Sequence, residues 1–75
     1  MRRVGDVVGV AQGVAVVRAP DGDHADIGTP VVDEDLSDCG RVVDVFGPVA
    51  RPYLAVSPGE GIHLPALVGS PLYAR

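Results

Sequence analysis

Asp21, Asp23 and Asp26 stand close enough together in sequence to suggest a calcium loop, because a hard cation collects carboxylates from alternate positions of one turn. The Asp-x-Asp-x-Asp-Gly order and the closing bidentate Glu of such a loop are missing, and Pro20-Asp21-Gly22 reads as an ordinary polar turn. Asp33, Glu34, Asp35 and Asp38 could pair for acid and base work, but a catalytic pair needs two opposed environments. A continuous acidic turn offers one solvated environment. Cys39 has no His or Lys beside it to stabilise a thiolate and reads as a small buried apolar residue. His24 and His63 lack metal-ligand spacing, and the glycines never form a phosphate cradle opening a helix. The residues therefore nominate no catalytic set, metal or cofactor site.

The segment Cys39–Val56, CGRVVDVFGPVARPYLAV, offers recognition instead of reaction. Two strand-like runs flank a loop stiffened by Pro48 and Pro52, in which Phe46, Val49 and Tyr53 lie near one another in sequence. Fixed φ at the prolines reduces the entropy lost when a loop is immobilised on a partner. Residue physics leaves two readings open: a docking loop, or a stiff hairpin connection with Phe46 and Tyr53 tucked into the core.

The elements that must hold this loop are strands. Val supplies much of the apolar content, and Gly or Pro recurs too often for helical spacing to persist. Strands are expected over Val4–Val10, Val14–Arg18, Ile27–Val32 with Pro30 at an edge or start, Gly40–Phe46, Tyr53–Val56 and Val68–Ala74. Ala11–Gly13 is a turn, Ala19–Asp26 a polar loop, Asp33–Asp38 an acidic turn and Ser57–Leu64 a second Pro/Gly loop. Six short strands without a helix predict an all-β fold, a small six-stranded closed or nearly closed β-barrel forming a single domain over residues 1–75. The doublets Val7-Val8, Val16-Val17 and Val42-Val43 break strict alternation and mark positions covered on both faces, or bulges.

A chain of 75 residues buries only about 60% of its unfolded surface, and a single cysteine allows no internal disulfide. Stability must come from packed Val, Ile, Leu and Ala, and a permanent partner would add to it. No run of 18 apolar residues and no secretory segment after Met1-Arg2-Arg3 is present, so a soluble, cytoplasmic protein without membrane or small-molecule partners is expected. Net charge −4 argues against direct grip on a phosphate backbone. All six basic residues are Arg and eight of the ten acids are Asp. This suggests a halophilic, salt-rich cytosol, where a Debye length of about 3 Å at 1 M screens acidic repulsion. Codon bias in a GC-rich genome yields a similar composition.

The segment PVVDEDLSDCGRVVDVFGPVARPYLAV, Pro30–Val56, resembles the β-barrel GAR protein of H/ACA small ribonucleoproteins in its short archaeal form. The resemblance rests on Val31-Val32-Asp33, Gly40-x-Val42, Asp44-Val45-Phe46-Gly47-Pro48-Val49 and Pro52-Tyr53, with weaker likeness at Val4-Gly5, Gly13–Arg18 and Val68–Tyr73. It implies a six-stranded barrel that is not an enzyme. Such a subunit binds the catalytic domain of the dyskerin-type pseudouridine synthase and assists substrate-RNA loading, release and turnover in rRNA processing and ribosome biogenesis. Guide RNA is then contacted only indirectly, through the particle. Carried onto this chain, the docking surface comprises Phe46, Gly47, Pro48, Val49, Pro52 and Tyr53, with Arg51 facing an acidic group at the rim. A PRC-barrel, active in ribosome maturation or regulation, shares the Val-Val-Asp and Gly-x-Val-x-Asp rhythm but gives no reason for the constrained loop.

Overall fold

The computed structural model describes residues 1–75, and its six strands form a closed barrel. They are β1 (Arg2–Ala11), β2 (Val14–Arg18), β3 (Pro30–Val32), β4 (Asp38–Phe46), β5 (Tyr53–Pro58) and β6 (Pro71–Ala74). Around the barrel the order is β1-β2-β5-β4-β3-β6, with every neighbouring pair antiparallel and β6 returning to β1. The expected all-β, six-stranded barrel is the observed fold. Closure pairs the sheet edges that would otherwise template association.

Alternation along β2 and β5 sends Ala15, Val17, Leu54 and Val56 inward, where they meet Val4, Val7, Val31, Cys39, Val42 and Leu72 in one core. Each is at most 1% exposed, so a chain this small concentrates its apolar burial in Val-sized side chains that fit a narrow barrel. Cys39 lies among them as a packing residue.

Two of the three doublets are bulges. Register slips between Val7 and Gly9 in the β1–β2 pair, leaving Val8 outside, and between Val42 and Asp44 in the β4–β5 pair, leaving Val43 outside. Each bulge gives two consecutive outward residues and resets the inward phase. Val16-Val17 shows plain alternation, with Val17 buried and Val16 half-buried.

Gly40 belongs to this crowded geometry: a β-carbon there would lie 1.9 Å from the Ser57 carbonyl oxygen, and φ is +138°. Only glycine lets β4 and β5 approach so closely.

Several boundaries differ from the sequence reading. β3 covers Pro30–Val32 alone, because Ile27-Gly28 forms a turn closed by Thr29 N–H donating to Asp26 C=O at 3.1 Å. Pro30 does start its strand. Ser57 and Pro58 extend β5 opposite Arg41 and Gly40. The last strand begins at Pro71, since Val68–Ser70 is a turn following a 3₁₀ turn at Leu64–Leu67, an element periodicity did not signal. β1 and β4 each begin two residues earlier than anticipated.

Two segments stop the barrel ends. The Ala19–Thr29 connection inserts Ala19 and Ala25, 0% and 3% exposed, beside the β4–β5 loop. The 3₁₀ turn packs against β1 and β2 and presses Leu64 and Leu67 onto the core. The barrel closes along its shortest seam, β3 to β6, through Val31–Ala74 and Val32–Tyr73.

Candidate docking site

The outward faces of β2, β5 and β4 bring Arg18, Tyr53 and Phe46 into one cross-strand row, because Tyr53 pairs with Arg18 on one side and Phe46 on the other. Directly opposed residues share a face, so the three side chains meet. The Phe46 and Tyr53 rings stack at 5.7 Å with 19° between planes. The Arg18 guanidinium carbon lies 4.5 Å from the Tyr53 ring centroid, and an Nη1–H donates to the Tyr53 hydroxyl at 2.6 Å. Stacking and cation–π attraction together restrain Tyr53.

From Phe46 the chain turns through Gly47, whose φ is +87°, into a Pro48–Arg51 turn closed by Arg51 N–H donating to Pro48 C=O at 3.2 Å. Ala19 then clamps the loop twice. Its N–H donates to Pro52 C=O at 3.0 Å, and its C=O accepts from Arg51 Nε–H at 3.0 Å. The loop is thereby fixed to the end of β2 as well as to its own strands.

Phe46 is 44% exposed and Val49 91%, with Gly47 and Pro48 also exposed. Tyr53 is half-buried and Pro52 buried, so Pro52 shapes the loop and offers no contact area in this conformation. Arg51 reaches solvent, but its Nε is committed to Ala19. A groove of about 190 Å³ runs between Phe46, Val49 and the preceding connection, lined also by Gly22, His24, Val45, Gly47 and Pro52. Its small volume suits one apolar side chain. Gly22 permits the close approach, since a β-carbon there would sit 3.1 Å from the Val49 carbonyl oxygen.

Arg18, Gly22 and His24 escaped the sequence reading. Arg18 looked like the polar end of a strand, and only the β2–β5 register connects it to Tyr53. His24 lay in a polar run, yet it is half-buried in the groove wall with Nδ1 2.9 Å from Ala25 C=O. The carbonyl accepts, so Nδ1 carries the proton and Nε2 remains free.

The electrostatics separate two kinds of Arg. Arg2–Asp23, Arg3–Asp6 and Arg75–Asp38 are surface ion pairs, each open to solvent and of little energetic weight. Arg18 and Arg51 meet only neutral oxygens, the Tyr53 hydroxyl and the Ala19 carbonyl. Arg18 Nε is buried without an acceptor, an arrangement that ordinarily costs about 1–3 kcal/mol.

The acidic turns have backbone roles. Asp21 Oδ1 accepts Asp23 N–H at 2.8 Å, and Asp33 Oδ1 accepts Asp35 N–H at 2.8 Å and Ser37 N–H at 3.0 Å. No three His, Cys, Asp or Glu side chains converge as metal ligands. Burial pushes the Cys39 thiol up from its ordinary pKa, and the charge of Asp33 adds to that. A larger open basin of about 360 Å³ lies beside Pro30, Arg41 and Pro58, toward the opposite end of β4. Only Val43 among its lining residues is a large apolar side chain, so it lacks the greasy floor of the smaller groove. No helix is long and apolar enough to cross a membrane. Neither a protein-family model nor a curated protein matches the chain.

Proposed function

We propose that this chain is a noncatalytic docking subunit that binds a dyskerin-type pseudouridine synthase within an H/ACA guide-RNA particle and assists substrate-RNA loading, release and turnover. The observation that carries the docking part is the exposure of Phe46 and Val49 on a doubly clamped loop beside a groove sized for one side chain. The resemblance of Pro30–Val56 to the GAR protein supplies the identity of the partner. In this reading the particle works in the cytoplasm of an archaeal, salt-adapted cell, and guide RNA is reached through the synthase. A clamped loop loses little further entropy on binding, and interface energy concentrates in a few aromatic and Arg anchors.

Calorimetric titration of the purified synthase catalytic subunit tests the proposal. Wild-type protein binds and Val49→Asp binds at least tenfold more weakly; absence of heat with folded wild-type protein overturns it. A turnover assay of guide-directed pseudouridine formation then measures the assistance, which requires multiple-turnover rates to fall when this subunit is omitted.

A further inference from the structure

We infer that the partner occupying the groove presents a carboxylate to Arg18 and Arg51 beside the apolar side chain that enters between Phe46 and Val49. This rests on the docking reading and adds the chemistry of the partner's contact. Arg18 and Arg51 are the two guanidinium groups bound only to neutral oxygens, and both belong to the clamp around Ala19, Pro52 and Tyr53. The Arg18 fork is half used: Nη1 serves the Tyr53 hydroxyl, while Nε has no acceptor. A guanidinium held flat against an aromatic ring is already oriented, so a carboxylate meeting its free edge gains charge-assisted hydrogen bonds without a new search of rotamers.

Charge complementarity favours a protein carboxylate over nucleic acid. A phosphate backbone brings a dense array of negative charge, and the surroundings of the two arginines include exposed Asp21, Asp23 and Asp44 on a chain of net charge −4. A single Asp or Glu beside an apolar residue avoids that repulsion. The groove accepts the apolar residue and the Arg pair accepts its acidic neighbour.

Titration of the synthase catalytic subunit against wild type, Arg18→Gln, Arg18→Lys, Tyr53→Phe and Val49→Asp tests this, with circular dichroism confirming each fold. Arg18→Gln is expected to weaken binding at least tenfold. Arg18→Lys keeps the charge without the fork and retains part of the affinity. Tyr53→Phe, which removes the internal acceptor, stays within about twofold of wild type. Arg18→Gln binding like wild type while Val49→Asp fails overturns the carboxylate contact and leaves docking intact. Equal losses from Arg18→Gln and Tyr53→Phe overturn it too, since Arg18 would then act only by holding Tyr53. If Arg18→Gln abolishes binding to a single-stranded RNA oligomer and spares the synthase, the contact is a phosphate and the inference falls. Failure of folded wild type to bind the synthase removes the docking reading itself.

Discussion

A β-carbon at Gly47 would lie 2.9 Å from Cδ2 of Tyr53, so the tyrosine ring occupies the place where any other side chain would begin. The same residue has φ +87°, a conformation that L residues adopt at a cost of about 1–3 kcal/mol. Gly47→Ala is therefore expected to lower stability by about 2 kcal/mol or more and to displace Tyr53 from Phe46. Urea unfolding measures the first effect, and near-ultraviolet circular dichroism of the aromatic pair measures the second.

Gly40→Ala meets a harder obstacle, because the Ser57 carbonyl is backbone in a paired strand and cannot rotate away. The loss should exceed about 3 kcal/mol, a large share of what a domain of this size possesses. Far-ultraviolet circular dichroism should show a largely unfolded chain at 25 °C in the buffer where wild type is folded.

Val49→Asp and Tyr53→Ala should separate recognition from stability. Val49 is 91% exposed, so its replacement shifts unfolding by no more than about 0.5 kcal/mol while weakening synthase binding. Tyr53→Ala loses the Phe46 stack and the Arg18 contacts, so it costs about 1–3 kcal/mol of stability in addition to binding. Parallel urea melts and titrations of the two variants report the difference.

The Cys39 thiol gives stability a defined slope on the alkaline side. Its pKa is raised in the folded chain, first by burial and then by Asp33, so the folded state holds its proton after the unfolded state has released it. The contribution is complete below the unfolded thiol pKa and disappears as pH rises through the folded value. Urea midpoints from about pH 7 to pH 10 should fall more steeply for wild type than for Cys39→Ala, which removes this titration. Native Cys39 should also alkylate far more slowly than the denatured chain, since the side chain is 1% exposed.

Salt should stabilise the barrel. Asp21, Asp23 and Asp26 share one connection, and Asp33, Glu34, Asp35 and Asp38 share another, while the surface ion pairs that screening weakens contribute little. Raising KCl from about 0.1 to about 1 M is expected to increase the thermal midpoint by several degrees. Scanning calorimetry checks this, and a falling midpoint would reveal that the ion pairs outweigh the repulsion.

Local sequence carried much of the fold because most of the barrel is written in short-range terms. The Gln12-Gly13 turn, with φ of 51° and 80°, fixes the β1–β2 hairpin, and the Val pairs of β2 alternate as their spacing demands. The extra outward residues at Val8 and Val43 were legible as broken alternation, but which break meant a bulge depended on the partner strand. The short β3 and the 3₁₀ turn were hidden for a related reason: Ile27 and Val68 have strand-like side chains whose backbone is claimed by turns.

The loop itself was visible as Phe46–Tyr53, whereas its supports were not. Ala19 carries no sequence signal for clamping Pro52 and Arg51, since both bonds use its backbone. Arg18 and Tyr53 are separated by 35 positions, and nothing in either residue announces the register that joins them. Pro52, read as part of the contact surface, turned inward because the strand it precedes begins with Tyr53 facing out and Leu54 facing in.

The seam between β3 and β6 has two paired positions, while β1–β2 and β4–β5 are far longer. Transient local opening should begin where fewest ladder bonds must break, so amide hydrogens of Val31, Val32 and Tyr73 should exchange with solvent sooner than those of Val17 and Leu54. Around the ring, β6 stands opposite β5. The cylinder can consequently breathe on one flank while Arg18, Tyr53 and Phe46 keep their alignment on the other.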